Sequence, residues 1–310
     1  MGLIDTIPDA MTTTGNPRRA DIDIFFTCRY PERFKIDWRR FYATAQARTD
    51  VVRAGWRHEL DIAYGPHVQH RLDLYYPEPG HEPAPVLLFL HGGGFREGDP
   101  ALYGYLAEPY VRRGIIFGSV GYRLIPESYL PETMRDVEEA LAWCVANLTA
   151  RGGDPFQIVL AGHSAGAILT AHLSVRDDWL RQRGLPLDLI KAAIPISGVY
   201  DFSDPTDHAE FFTQDSQRVP ASPLLNITTT PPPMTVAYGS LENSLRYAQD
   251  SQRLVDAVRS QGAAAELLKL EDLNHADTVN AVADQRSVLC QSVVALISRP
   301  AQTKNSSARM

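Results

Sequence analysis

Gly162-His163-Ser164-Ala165-Gly166 sets a serine between two glycines, directly after an apolar run at 157–161 and before an Ala/Leu-rich stretch. A strand that turns sharply into a helix around a serine lifts the hydroxyl clear of the backbone and presents it beside the helix N-terminus. Flanking glycines remove the clashes such a tight turn would cause. The chemistry this suits is nucleophilic attack on an acyl carbon; the plainer alternative is a serine that only caps the helix. A second cluster, His91-Gly92-Gly93-Gly94-Phe95, follows another apolar run at 85–90. Consecutive glycines let backbone N–H groups approach a ligand closely. Acyl transfer needs such donors where the oxyanion develops, and losing one typically costs on the order of 10²–10³ in rate. Gly93 and Gly94, with Ala165 beside the nucleophile, are the expected oxyanion hole. Gly92 serves the turn, and His91 orients the loop by hydrogen bonding. The other reading of the glycines is a plain connector or a phosphate loop, but the latter needs Gly-Lys-Ser/Thr, which does not follow.

A serine hydroxyl is inert at neutral pH without a neighbouring base. In the fold that carries such a corner, the triad runs serine, then acid, then histidine. Of nine histidines, only His172, His208 and His275 lie downstream. His172 falls eight residues into the helix behind Ser164 and points away from the active end. His208 lies in a long connection, as a candidate substrate contact. His275 ends a loop at 271–275, after the last apolar run, and is the expected base. The loop 239–244 contains one carboxylate, Glu242, the expected acid that fixes the imidazole tautomer and stabilises the imidazolium. Asp201 and Asp272 are its rivals, and a first-turn helix carboxylate is the non-catalytic reading of Glu242.

These residues need a scaffold that delivers several loops to one edge. The segments 58–64 and 69–75 alternate polar and apolar residues around Gly65-Pro66, which predicts two half-buried strands in an antiparallel hairpin. Continuous apolar runs at 85–90, 115–120, 157–161, 192–196, 234–238 and 266–270 predict strands covered on both faces. Helix-like segments at 102–113, 131–150, 165–174, 244–261 and 277–297 lie between or after them, and another at 36–52 precedes the hairpin. The fold class is therefore α/β, with a mostly parallel sheet of about eight strands and helices on both faces. The organisation expected is an N-terminal arm and cap helix at 1–57, one catalytic domain at 58–300, and a flexible tail at 301–310. A lid-like insertion at 200–233 carries Phe202, Phe211 and Phe212, then three threonines and three prolines. Phe25, Phe26 and Tyr30 of the arm, with those three phenylalanines, either line an apolar acyl site or dock these segments.

Composition narrows the function. The 310 residues carry net charge −7 with no basic stripe, which argues against nucleic acid. No apolar run approaches membrane-spanning length, and the start lacks a secretory signal. Three cysteines, Cys28, Cys144 and Cys290, lie far apart without metal-like spacing, as expected of reduced thiols in a cytoplasmic protein. No metal or organic cofactor is expected.

On the residues 91–95, 162–166 and His275, the chain resembles the α/β-hydrolase superfamily. It is most similar to hormone-sensitive-lipase-type esterases and the arylformamidase-like group, over roughly 58–297. Tyr122-Arg123-Leu124-Ile125-Pro126, Gly152-Gly153-Asp154-Pro155 and Gly198-Val199-Tyr200-Asp201 extend the likeness. The resemblance implies the same triad and hole, and a homodimer. Formamidases of that group usually have an aromatic after two glycines, where this chain has Gly94 and then Phe95. The third glycine is the lipase-type form and favours esters over formyl anilides. The lipase-type group usually has Asp before the nucleophile, where this chain has His163. Expected substrate contacts are Phe95, His163, Phe202, Phe211 and Phe212. The leading reading is an esterase acting on carboxylic esters of small to medium size, aromatic ones included. Amide or aryl-formamide hydrolysis with the same triad is the alternative, and a non-catalytic small-molecule receptor on this fold is the third.

Overall fold

A computed structural model describes residues 36–298. Phe25, Phe26, Tyr30, Cys28 and the tail at 301–310 lie outside the described residues. Eight strands form one sheet: β1 (His58–Ala63), β2 (Arg71–Tyr75), β3 (Ala84–Leu90), β4 (Ile116–Val120), β5 (Gly153–His163), β6 (Ile190–Ile196), β7 (Met234–Gly239) and β8 (Ala265–Leu270). Their order is β1-β2-β4-β3-β5-β6-β7-β8. β1 pairs antiparallel with β2, and β2 with β4; every later pairing is parallel. Among the described residues, the helices of six or more residues are α1 (Trp38–Gly55), α2 (Leu130–Asn147), α3 (Ala165–Val175), α4 (Asp178–Arg183), α5 (Arg246–Ser260), α6 (His275–Asn280) and α7 (Val288–Ile297). None of them is long and apolar enough to cross a membrane.

The apolar runs are continuous because both faces of the central strands are covered. Leu88 and Leu160 face one core with Val137 of α2 and Leu169 of α3, whereas Leu87 and Val159 face another with Tyr42 of α1 and Val293 of α7. Alternate residues of one strand thus feed opposite cores. α1 starts at Asp37, whose carboxylate accepts from the Arg40 N–H at 3.0 Å. The helix buries Tyr42, Ala45, Thr49 and Val52, a helical spacing on one face.

Three expectations are corrected. β2 is buried along most of its length, not half-buried, because it lies between β1 and β4. The burial includes Asp73, made tolerable by Arg53 of α1 at 3.2 Å and the Asp61 N–H at 2.8 Å. The stretch 102–113 is not one helix: it makes 3-10 turns at Pro100–Leu102 and Gly104–Leu106, then one α-turn at Glu108–Val111. Gly104 packs so tightly that a Cβ there would meet the Tyr75 hydroxyl at 2.0 Å, and Pro109 brings no N–H. The stretch 277–297 divides into α6 and α7. The Ser287 side chain caps α7, accepting from Cys290 N–H at 3.0 Å, and donates back to the Ala281 carbonyl.

The connection at 200–233 contains no strand. Its path is held by Arg218, 2% exposed, whose guanidinium donates to the carbonyls of Asp204, Pro205 and Asp207 at 2.7–2.9 Å. That arginine gives a charged, multidentate anchor to a segment without ladder hydrogen bonds.

Candidate active site

β5 ends at His163, and the chain turns into α3 through Ser164. Ser164 has φ 54° and ψ −114°, a strained conformation for a residue with a side chain. The two glycines make the turn possible. A Cβ on Gly162 would sit 2.2 Å from the Gly166 carbonyl oxygen, and one on Gly166 would sit 2.0 Å from that of Leu90. Ser164 N–H donates to the Ile196 carbonyl at 2.8 Å, which fixes the turn to β6.

His275 opens α6, with Asn274 capping the helix by accepting from the N–H groups of Ala276 and Asp277. Its Nε2 lies 2.9 Å from Ser164 Oγ, and its Nδ1 lies 2.8 Å from Glu242 Oε2. The carboxylate can only accept, so Nδ1 carries the proton and Nε2 is free to take one from the serine. The side chains of His275 and Glu242 are 4% and 3% exposed, so the pair is shielded from water. Asp201 is tied instead to Arg253 at 2.7 Å, and Asp272 is exposed, with its N–H on the Ser240 hydroxyl. Neither rival meets the imidazole.

The main chain of His275 is held as firmly as its ring. Its carbonyl accepts from His163 Nε2 at 2.8 Å and from Thr278 Oγ1 at 2.8 Å, and Ser197 donates to Thr278 in turn. Burial, reinforced by the neighbouring His275, holds the His163 imidazole well below its ordinary range. A neutral His163 is the donor that contact requires.

The glycine loop turns beside this relay. Gly93, Gly94 and Phe95 have φ of 121°, 58° and 57°, positive values that favour glycine at the first two positions, and both glycines line the cavity that opens onto Ser164. The backbone N–H groups of Gly93, Gly94 and Ala165 meet no acceptor among the described residues. A Cβ on Gly92 would come 2.9 Å from His163 Nδ1, so Gly92 serves the close approach of the two loops. His91 is stacked 4.3 Å from Tyr122 and donates from Nδ1 to the Gly92 carbonyl at 2.8 Å. Burial lowers its pKa to about 4.

A cavity of about 480 Å³ opens onto Ser164. Of the expected contacts, His163 and Phe211 line it. Phe95, Phe202 and Phe212 do not; this is a correction. They belong to the core, with Phe95 fully buried edge-on under Phe211 at 4.9 Å and Phe202 edge-on to Phe212 at 5.5 Å. His208 also lines the wall, stacked on Phe211 at 4.8 Å. Sequence reasoning missed Trp38, Phe41, Tyr42, Arg96 and Tyr247, which also line the cavity. The rings of Tyr247 and Trp38 lie 5.0 and 6.5 Å from that of His275. An aromatic on an amphipathic helix reads as core, and only Arg96, beside the glycine loop, carried a local signal. His172 is buried in α3, with its pKa pressed to about 3 chiefly by burial.

A hydroxyl, imidazole and carboxylate joined in this order at the carboxyl edge of a parallel sheet form the arrangement used by serine-nucleophile acyl hydrolases. Residues 87–278 match the family described as alpha/beta hydrolase fold, and the chain belongs to that family. It is 26% identical to a probable isoprenylcysteine alpha-carbonyl methylesterase of Oryza sativa over 76% of this chain and 63% of that protein. It is 30% identical to the esterase LipC of Mycobacterium tuberculosis, over 76% and 65%. The kynurenine formamidase of Danio rerio is 22% identical over 84% of this chain and 89% of its own length. The chain thus spans under two thirds of the methylesterase and of LipC. Among solved structures, a putative thioesterase from Silicibacter sp. TM1040 aligns with TM-score 0.69 and 25% identity, over 84% of this chain and 93% of that one.

Proposed function

We propose that the protein is a serine hydrolase that cleaves carboxylic esters of small to medium size through an acyl-enzyme. The observation that carries this reading is the continuous relay from Ser164 through His275 to Glu242, at 2.9 and 2.8 Å. Ser164 Oγ attacks the acyl carbon as His275 Nε2 takes its proton. Glu242 stabilises the imidazolium, and the N–H groups of Gly93, Gly94 and Ala165 receive the oxyanion. His275 then protonates the leaving alcohol; water, deprotonated by the same imidazole, attacks the acyl carbon, and Ser164 is released. These steps need neither metal nor organic cofactor. A receptor reading requires a broken relay, and this relay is unbroken.

The cavity volume suits a substrate of about drug size or smaller, and the rings of Trp38, Phe41, Phe211 and Tyr247 suit an apolar or aromatic group. In this reading 58–300 is the catalytic unit, α1 and the 200–233 connection form the cap, and the protein works in the cytoplasm with Cys144 and Cys290 as buried free thiols. The homodimer implied by the resemblance is a matter for light scattering. Amide cleavage is favoured by one observation, the formamidase relative that aligns over nearly its whole length.

The deciding assay sets p-nitrophenyl acetate, butyrate and octanoate beside an N-formyl aryl amine, with Ser164→Ala as the blank. Faster ester turnover, absent in the variant, is expected. Turnover dominated by the formyl amide replaces the esterase with the amidase. No difference between the two proteins on any substrate sinks the hydrolase.

A further inference from the structure

Most arginines that are partly or fully buried in the described residues meet a carboxylate. Arg53 pairs with Asp73, Arg123 with Asp136, Arg218 with Asp215 and Arg183 with Glu138. Arg96 is different. It lines the cavity on Ser164, its Nε is buried, and no hydrogen bond or ion pair of its guanidinium exists among the described residues. Two carboxylates share the wall, Glu97 and Glu210, and neither is within ion-pair distance of it; Glu210 Oε1 instead faces His208 Nδ1 at 4.0 Å. The backbone of Arg96 is fixed, because its N–H and that of Glu97 both donate to the Gly93 carbonyl, at 3.0 and 3.1 Å. The loop that presents N–H groups beside Ser164 therefore also presents a guanidinium at a set distance along the chain.

A buried N–H of a charged group without an acceptor is costly to leave unmade. Part-burial also strengthens its attraction for an anion that enters the cavity. The planar fork of a guanidinium matches a carboxylate in shape and charge. We propose that Arg96 is a substrate-anchoring residue, and that the preferred substrates are esters or amides carrying a free carboxylate held by it while the acyl carbon lies at Ser164. The substrate class rests on the hydrolase reading above; the anion site itself is testable without turnover.

The first measurement is calorimetric binding of 4-phenylbutyrate and of 4-phenylbutanamide to the Ser164→Ala protein. The carboxylate is expected to bind at least about tenfold more tightly than the amide. Adding Arg96→Gln should bring the two to within about threefold, and Arg96→Lys should restore part of the difference. Equal affinities, no binding of either probe, or a preference that survives Arg96→Gln overturns the proposal. Kinetics then locate the anion in the substrate. The ratio of kcat/KM for 4-acetoxybenzoate over its methyl ester reports a carboxylate on the leaving group. The ratio for p-nitrophenyl hemiglutarate over p-nitrophenyl valerate reports one on the acyl group. One ratio should exceed unity and fall at least about tenfold in Arg96→Gln; neither ratio responding to Arg96 also overturns the proposal. Absence of Ser164-dependent turnover on every ester and amide sinks the hydrolase reading alone, since the binding preference stands or falls separately.

Discussion

Ser164 and the loop at 92–94 stand at the ends of neighbouring strands, β5 and β3, and each takes its shape from residues within a few positions of itself. The wall that faces them is assembled differently, with Trp38 and Tyr42 from α1, Phe211 from the 200–233 connection and Tyr247 from α5. At the corner, backbone geometry is the constraint, and at Gly92, Gly93, Gly162 and Gly166 any Cβ would clash. At the wall the constraint is volume, which many side chains satisfy once the helices are packed. Changes at the corner should therefore act on kcat, and changes at the wall on KM.

The largest effect is expected at the acid. In Glu242→Gln the amide can donate to Nδ1 of His275, which moves the proton to Nε2 and removes the base. A fall in kcat on the order of 10³–10⁴ on p-nitrophenyl butyrate is expected. Retention within about tenfold would remove Glu242 from the relay. Next come the glycines. Gly93→Ala places a Cβ 2.1 Å from the Glu97 carbonyl oxygen at φ 121°, and kcat should drop on the order of 10²–10³. Gly94 has φ 58° and open space, so Gly94→Ala bears only left-handed strain of about 1–2 kcal/mol, roughly tenfold if it falls wholly on the transition state. The reverse order would mean that Gly94, not Gly93, is the tightly constrained member of the loop.

The same contrast explains what the sequence could reveal. The strand series, both glycine motifs, the hairpin and the pairing of His275 with Glu242 were legible because each is a local pattern or a fixed chain order. The break between α6 and α7 was not, since 281–287 contains neither Gly nor Pro and is decided by Ser287 bonding forward and back. Phe95 and Phe211 are adjacent rings of one core, yet only Phe211 also reaches the cavity. Nothing in either residue's neighbours distinguishes them. Trp38 and Tyr247 were invisible for the same reason: their place beside His275 depends on how α1 and α5 dock.

A third prediction tests the wall directly. Phe211 lies edge-on to Phe95 and stacked on His208, so shortening it opens the cavity without touching the relay. Phe211→Leu should raise KM for aromatic esters about three- to tenfold and leave kcat within about threefold. An equal fall in kcat and kcat/KM would place Phe211 in the machinery that orients the acyl carbon, and the division between corner and wall would fail.

The smallest effect on activity, and the sharpest on stability, belongs to the other end of α3. His172 shares its helix with the Ser164 turn but lies away from the cavity, its pKa lowered from 6.5 to about 3, by burial first and the nearby Arg176 second. The folded protein therefore keeps this imidazole neutral, whereas the unfolded chain binds a proton below pH 6.5. Its contribution is fully present above that pH and is lost progressively as the pH falls toward about 3. Between pH 7 and 5 the loss amounts to roughly 2 kcal/mol. His172→Gln should flatten the acid side of the urea-stability profile by about that amount, with kcat at pH 7.5 unchanged within about twofold. An unaltered acid limb would show that His172 takes up its proton in the folded state. A large fall in kcat would show instead that the far end of α3 is coupled to the strained turn at its start.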